Sequence, residues 1–369
     1  MKVGSHDVVL LKDGEEAFPA MLAAIAKARS TVCLETYILK DDETGRRFGA
    51  ALSERARAGV EVSLMYDDWG SEVSDAFISE LHQAGVRTVA FRPVRLTGPL
   101  RLTLTLLRKR NHRKALVIDG VVAFTGGLNI SNEYAPTSEG GGGWRDTHVR
   151  LEGPSAVHLE RLFLSTWKEA RGAPVDPVRH ARTVEEEGRD VQIVGNQFRR
   201  DRRFIRRAYV DAFNRAKHHI DITSAYFVPP AKVLRALVRA ARRGCKVRII
   251  VAGTTDVRLA LYGARGLYAK LLRAGVHVYE WRQSILHAKT ATVDREWSTV
   301  GSANLDSLSL RHNLEVNAVF RDAKVAEALR RMFEDDLATC ARITPEWLAT
   351  RSHVERALWW FAYRLRAWL

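Results

Sequence analysis

The stretch NHRKALVIDGVVAFTGGLN, residues 111–129, has a second copy in LHAKTATVDREWSTVGSANLD, residues 286–306. Both copies read H-x-K-x4-D-x6-G-[GS]-x-N without a gap. A single H-x-K is common in exposed strands, but two complete copies in one chain are hard to ascribe to coincidence. The first copy contains His112, Lys114, Asp119, Gly127 and Asn129, and the second contains His287, Lys289, Asp294, Ser302 and Asn304.

The two copies lie in two halves that resemble each other along their length. ALSERARAGVEVSLMYDD from Ala51 matches ALVRAARRGCKVRIIVAG from Ala236, and helix-like segments alternate with short β-branched runs in both halves. This alternation predicts α/β layering with a mostly parallel sheet in each half. A duplicated unit usually pairs about a pseudo-two-fold axis, which would place a shared site at the interface between the two α/β halves.

Composition changes mark the predicted domain boundaries. We expect a first half over residues 1–170 and a second half over 191–345. Residues 171–190 are rich in Pro, Gly and charge and predict a linker. Residues 346–369 predict an aromatic and arginine-rich amphipathic helix, which either lies at a membrane interface or packs on the body.

The charge of the chain restricts its partners. The 369 residues carry a net charge of +15, which favours nucleic acid or an anionic membrane but is also compatible with an incidental basic surface. No apolar run approaches the roughly 20 residues that span a bilayer, and the N-terminus does not predict a signal peptide. The three cysteines have neither disulfide nor metal-site spacing.

The repeated residues predict a phosphate site. Period-two alternation places the His and Lys of each copy on one face of a strand. With two such pairs facing each other, a neutral imidazole can attack phosphorus while a protonated one protonates the leaving oxygen. The lysines and the side chains of Asn129 and Asn304 would neutralise the phosphate oxygens, and Gly127 and Ser302 would let the backbone approach it. This chemistry needs no metal or cofactor.

Each histidine also needs an acceptor that fixes its tautomer. Asp146 in WRDTHV and Glu315 in NLEVNAV follow the two histidines at the start of predicted strands. We expect Asp146 to orient His112 and Glu315 to orient His287. The motif residues Asp119 and Asp294 are predicted among the catalytic residues with the histidines and lysines. Their expected role is to support the motif turn by binding loop amides or lysines.

These motifs resemble the paired H-x-K-x4-D motifs of the phospholipase D superfamily over about residues 6–340. WRDTHVRLEGPSAV and ITSAYFVP, residues 222–229, further resemble the bacterial cardiolipin synthase branch. Longer members carry N-terminal membrane helices that this sequence lacks. The sequence also has Gly127 at a motif position where Ser is usual.

The resemblance implies transfer of a phosphatidyl group through a phosphohistidine, with His112 as nucleophile and His287 as general acid. The expected product is cardiolipin or a relative, made from phosphatidylglycerol and a phospholipid donor. The expected partner is an anionic phospholipid membrane, at the cytoplasmic face of a bacterial inner membrane. The alternative is hydrolysis of a phospholipid or of nucleic acid.

The sequence leaves the role of several further residues open. Glu35, Tyr37 and Tyr226 end predicted strands and either line a pocket or pack. His148 either lines the site or is structural. Asp67 and Asp68 are expected in a solvated loop. The insert at residues 92–110 is either a buried hairpin or a lip that faces lipid.

Overall fold

A computed structural model describes residues 1–93, 109–172, 188–196 and 204–365. Most of the predicted insert (94–108), most of the predicted linker (173–187) and the last four residues (366–369) lie outside the described residues, so both interpretations of the insert stay predictions. Within the described ranges, none of the helices is both long and apolar enough to cross a membrane.

The first half contains an eight-stranded sheet with the order β1-β2-β8-β7-β6-β3-β4-β5. In the part of this half that the structure describes, the α-helices are α1 (Asp13–Ala26), α2 (Glu43–Arg57), α3 (Asp75–Gln83) and α4 (Ser155–Glu169). Its strands are β1 (Lys2–Val3), β2 (His6–Lys12), β3 (Thr31–Thr36), β4 (Glu61–Asp67), β5 (Arg87–Phe91), β6 (Ala115–Ile118), β7 (Val122–Gly126) and β8 (Thr147–Glu152).

The second half contains another eight-stranded sheet with the order β16-β12-β11-β10-β13-β14-β15-β9. Its helices are α5 (Phe204–Arg215), α6 (Ala231–Arg242), α7 (Arg258–Arg273), α8 (Ser307–Arg311), α9 (Ala323–Leu337), α10 (Pro345–Ala349) and α11 (His353–Arg364). Its strands are β9 (Val191–Gly195), β10 (His219–Ser224), β11 (Lys246–Ala252), β12 (His277–Trp281), β13 (Lys289–Val293), β14 (Trp297–Gly301), β15 (Val316–Phe320) and β16 (Ala341–Ile343).

The two sheets share one topology, since β2 to β8 and β9 to β15 follow the same spatial order. This confirms the predicted duplication. The prediction of mostly parallel sheets is wrong. Among the described strands, only β3-β4-β5 and β10-β11-β12 pair in parallel, and the motif strands run antiparallel to their neighbours. Each motif strand forms a hairpin with the next strand, and a tight hairpin turn joins only antiparallel strands.

Local sequence accounts for the helix ends. The side chain of Asp42 accepts a hydrogen bond from the Gly45 amide and caps α2, and Ser74 caps α3 in the same way. Helix α6 has its apolar residues at helical spacing and buries five of them while its arginines face solvent. These amphipathic helices cover the outer face of each sheet and form one core per half.

A third core joins the halves. It contains Met65 and Val149 from the first sheet, Val300 and Phe320 from the second, and Phe163 of α4. Two short parallel bridges, Asn111 with Leu314 and Arg145 with Leu286, also connect the halves by backbone pairing. The two motif histidines therefore lie at the junction of the halves, as the duplication predicts.

Candidate active site

The two motif histidines lie just before central strands of their sheets, His112 three residues before β6 and His287 two residues before β13. The backbone amide of His112 donates to the Leu314 carbonyl at 3.0 Å, and that of His287 donates to the Arg145 carbonyl at 2.7 Å. Each histidine is therefore held at its backbone by the opposite half. The side chains are largely buried, with 12% of His112 and 6% of His287 exposed.

The orienting carboxylates also come from the opposite half. His112 Nδ1 lies 3.0 Å from Glu315 Oε1, and His287 Nδ1 lies 2.7 Å from Asp146 Oδ2. The prediction that Asp146 orients His112 and Glu315 orients His287 is therefore wrong. The reason is the pair of backbone bridges, since a carboxylate that directly follows a bridged residue is placed beside the other half's histidine.

The motif lysines are fully buried beside the histidines. Lys114 Nζ donates to the His112 carbonyl at 2.7 Å, and Lys289 Nζ donates to the His287 carbonyl. Burial lowers the pKa of Lys289 to about 8 and holds that of Lys114 well below its ordinary value. The charge of each lysine acts on both histidines, so the four side chains form one electrostatic unit.

Burial and the lysine charges favour the neutral form of both imidazoles. They lower the pKa of His287 to about 4 and that of His112 well below its ordinary value. A bound phosphodiester would offset the lysine charges, and the histidine pKa values would then rise. Both imidazoles are therefore neutral at pH 7, and binding of an anionic phosphodiester would favour protonation of either one.

The two carboxylates have different electrostatic environments. Burial raises the pKa of Glu315 to about 8, against the opposing effects of Lys114 and Ser302. Burial also disfavours the charged form of Asp146, but Lys289 and the hydrogen bond from His287 outweigh it and lower that pKa. At neutral pH Asp146 is ionised whereas Glu315 is largely protonated. The site is symmetric in geometry and asymmetric in charge.

Gly127 and Ser302 occupy equivalent positions and contact these carboxylates. A Cβ atom at Gly127 would collide with the Asp146 carboxylate, whereas Ser302 Oγ donates to Glu315 Oε2 at 2.5 Å. The prediction that these two residues bring the backbone to the phosphate stays a prediction, and their side-chain positions serve the carboxylates. Glycine replaces serine in the first copy because the carboxylate of Asp146 occupies that space.

The motif asparagines support the walls of the site. Asn129 Nδ2 donates to the Tyr134 hydroxyl at 2.7 Å, and its Oδ1 accepts from the Ile38 amide at 3.0 Å. Asn304 Oδ1 accepts from the Tyr226 amide at 3.4 Å. One N–H of the Asn129 amide and its oxygen are thus bound to protein, and its predicted phosphate contact stays a prediction. The oxygen of Asn304 is also bound to protein.

The motif aspartates lie at the far ends of the motif strands, roughly 16 Å along the chain from the lysines. Asp119 accepts from the amides of residues 29, 30 and 31, and Asp294 from those of residues 217, 218 and 219. Their inclusion among the catalytic residues is therefore wrong. The prediction that they bind loop amides at the motif turn is confirmed.

Aromatic rings enclose the two histidines. The ring of Tyr37 lies 4.7 Å from that of His112, and the ring of Tyr134 lies 5.2 Å from that of His287. The ring of Trp144 lies 5.8 Å from that of His287. Tyr37 therefore lines the site. The sequence does not predict Tyr134 and Trp144 as site residues, because they lie in an irregular segment with no periodicity.

A buried polar network lies beneath His112. Arg110 donates to Asp67 Oδ1 through Nε at 2.8 Å, the Asn111 amide donates to Asp67 Oδ2 at 2.8 Å, and Asn111 Nδ2 donates to Glu35 Oε1 at 2.6 Å. Asp67 is fully buried, so its prediction as part of a solvated loop is wrong. In the second half, Ile285 and Leu286 stand in place of Arg110 and Asn111.

His148 lies one layer behind the site. Its ring contacts the backbone at Gly126, and neither ring nitrogen has a hydrogen-bond partner among the described residues. Burial lowers its pKa to about 4. These contacts favour the structural interpretation of His148. In the described ranges, no group of three or more His, Cys, Asp or Glu side chains could hold a metal ion.

Comparison with known proteins agrees with this arrangement. The family model described as cardiolipin synthase, PLD-like domain, matches residues 21–139 and again residues 209–337. The cardiolipin synthase of Geobacillus kaustophilus is 36% identical over 360 residues, covering 95% of this chain and 71% of that protein. Cardiolipin synthase B of Salmonella typhi is 37% identical over 380 residues, covering 98% of this chain and 87% of that protein.

Solved structures share the fold at low identity. The phosphatidylserine synthase of Haemophilus influenzae matches with a TM-score of 0.71 and 12% identity, covering 98% of this chain and 93% of that chain. Both halves and their order along the chain are thus found in a solved protein. The family model matches both halves, and more than a third of the residues are identical to those of the two cardiolipin synthases over nearly the whole chain. This chain therefore belongs to the cardiolipin synthase family of phospholipase D-like proteins.

Proposed function

We propose that this protein transfers a phosphatidyl group from a phospholipid donor to phosphatidylglycerol, making cardiolipin or a close relative. The observation that carries the proposal is the pair of buried histidines whose Nδ1 atoms are each held by a carboxylate of the opposite half. With Nδ1 bound, each Nε2 atom faces away from its carboxylate and can act at phosphorus; that of His287 also lies 3.4 Å from the Tyr134 hydroxyl.

In the first step, Nε2 of His112 attacks the phosphorus of the donor. The bond between phosphorus and the head-group oxygen breaks, and His287 gives its proton to that oxygen. In the second step, His287 takes the proton of the acceptor hydroxyl as that oxygen attacks phosphorus. The bond to His112 then breaks and both histidines return to their starting state.

The assignment of His112 as nucleophile follows from the unequal carboxylates. An ionised Asp146 at 2.7 Å stabilises an imidazolium on His287, which a proton donor requires. Glu315, whose pKa is raised, holds the orientation of His112 without favouring its protonation. The two lysines supply the positive charge for the phosphate oxygens, which metal ions supply in many phosphoryl-transfer enzymes.

We place the reaction at the surface of an anionic membrane. A lipid with two acyl chains leaves a bilayer slowly, so the protein must reach it there. A net charge of +15 attracts such a surface, at roughly 1 kcal/mol for each basic residue close to it. For a bacterial protein with the substrates proposed here, we expect the cytoplasmic face of the inner membrane.

The test is to incubate purified protein with phosphatidylglycerol vesicles and to measure the lipid products by mass spectrometry. We expect cardiolipin and released glycerol in equal amounts. Phosphatidic acid as the sole product would make the protein a hydrolase. Cleavage of nucleic acid with no lipid turnover would contradict the proposal. A His112→Ala variant is the control for contaminating activity.

A further inference from the structure

The C-terminal helix α11 has two apolar faces. One face buries Trp359 and Ala362. The other carries Val354, Leu358 and Phe361, spaced by four and three residues, and these side chains are 69%, 52% and 57% exposed. The two faces lie roughly a quarter turn apart at 100° per residue. A helix that only packs against the body needs one apolar face.

The inner face of α11 is fixed firmly to the second half. A Cβ atom at Gly266 of α7 would lie 2.6 Å from the Trp359 carbonyl, so the two helices approach as closely as glycine permits. The Trp359 ring stacks on Trp347 at 5.9 Å, and the Arg265 guanidinium lies over both rings. The outer face is therefore held in a set orientation.

The end of α11 reaches the wall of the candidate active site. Tyr363 packs against Val228 and Ala260, and Tyr226 packs on the same pair. The hydroxyl of Tyr226 donates to Asp256 at 2.7 Å, and the charge of Asp256 acts on Lys289 in the site. The inner side of α11 thus contacts one wall of the candidate site through Tyr363.

More exposed apolar side chains border the same region. Val257 and Leu259, at the start of α7, are 39% and 38% exposed and flank the buried Ala260 beneath Tyr363. In the first half, Trp69 is 55% exposed and precedes Gly70, which packs against Tyr37 of the site. Exposed apolar side chains therefore lie next to wall residues of the site in both halves.

The charge of this region suits an anionic surface. Helix α7 carries Arg258, Arg265, Lys270 and Arg273 and no acidic residue. Helix α11 carries Arg356 and Arg364 on exposed positions, and its one acidic residue, Glu355, is engaged in the capping box at Ser352. Apolar side chains bordered by arginine are the composition of surfaces that lie in the head-group layer.

We infer that the outer face of α11 (Val354, Leu358 and Phe361), with Leu259 of α7 and the preceding Val257, docks the protein on an anionic phospholipid bilayer. This docking face presents the site entrance to the membrane, so that a lipid head group enters while its acyl chains stay in the bilayer. The inference rests on the proposed function, but vesicle binding tests the docking face independently of lipid turnover.

The test compares the wild type with a Leu358→Ser/Phe361→Ser variant in binding to vesicles of phosphatidylglycerol and phosphatidylcholine. A Val9→Ser/Val121→Ser variant is the matched control, since those side chains are 39% and 41% exposed elsewhere on the molecule. At about 0.5 M salt, where screening weakens the charge attraction, we expect the docking-face variant to bind at least roughly tenfold more weakly. The control should bind like the wild type.

Turnover of a short-chain, soluble phosphodiester and the thermal midpoint should be unchanged in the docking-face variant. Equal vesicle binding by the variant and the wild type at high salt would overturn the inference, as would an equal loss in the control. A lowered thermal midpoint would also overturn it, because the side chains would then be part of the packing. If the wild type binds vesicles but turns over no lipid, the proposed function fails and the docking face stands.

Discussion

Asp146→Asn should impair the proton donor of the opposite half, His287, rather than the nucleophile of its own half. The variant keeps the size of the side chain but removes the charge that faces the His287 imidazolium at 2.7 Å. Asp146 is fully buried, so water cannot replace the lost interaction. A hydrogen bond to a charged group contributes about 1.5–3 kcal/mol, which corresponds to a roughly 10- to 150-fold slower reaction.

The assay compares the first turnover of two soluble phosphodiesters, one with an alcohol and one with a nitrophenol as leaving group. The alcohol needs a proton as it departs, whereas the nitrophenolate does not. We expect Asp146→Asn to slow the first substrate and to spare the second. In a double variant with His287→Ala, the Asn substitution should add little further loss, because both changes act on one proton transfer.

Glu315→Gln is the matched comparison. It should slow both substrates alike, because Glu315 positions the attacking His112. Its effect should be smaller than that of Asp146→Asn, since the raised pKa of Glu315 keeps that carboxyl largely protonated, a form that glutamine resembles. If Glu315→Gln spares the nitrophenol substrate and Asp146→Asn does not, the two histidines have exchanged roles.

Three further predictions concern pH, metal and stability. On the acid side, kcat/KM should fall only well below pH 6.5, because the lowered pKa of His112 keeps the attacking imidazole neutral down to that range. An acid limb at pH 7 would contradict this. Activity should survive excess EDTA, since buried lysines supply the positive charge; a loss that Mg²⁺ or Zn²⁺ restores would contradict the mechanism. Asp294→Ala should destabilise the fold by about 1–3 kcal/mol, because three backbone amides lose their acceptor. Turnover at low temperature should be retained. Thermal unfolding measures the loss, and Asp294→Asn, which keeps one acceptor oxygen, should lose less.

The duplicated fold and the central histidines and lysines could be predicted from the sequence because both depend on local spacing. The H-x-K alternation fixes which side chains share a face, and its repetition fixes that two such faces exist. Asp119 and Asp294 were assigned to the motif turn for the same reason, since a polar residue at a strand end commonly binds the adjacent loop.

The crossed pairing of the carboxylates could not be predicted in this way. It depends on two backbone bridges between segments about 200 and 140 residues apart, Asn111 with Leu314 and Arg145 with Leu286. Nothing in the spacing within one half specifies which histidine its carboxylate reaches. The burial of Asp67 was missed for a related reason, because its partner Arg110 lies 43 residues away along the chain.

Detection of a covalent phosphohistidine on His112 tests the central claim most directly. The His287→Ala variant would be mixed with the nitrophenol substrate, stopped within the first turnover, and digested under alkaline conditions for mass spectrometry. We predict a phosphoryl adduct on His112, accumulating because the variant lacks the base that activates the acceptor, and no adduct in His112→Ala. An adduct on His287 in the wild type, or turnover in His112→Ala at the wild-type rate, would contradict the account.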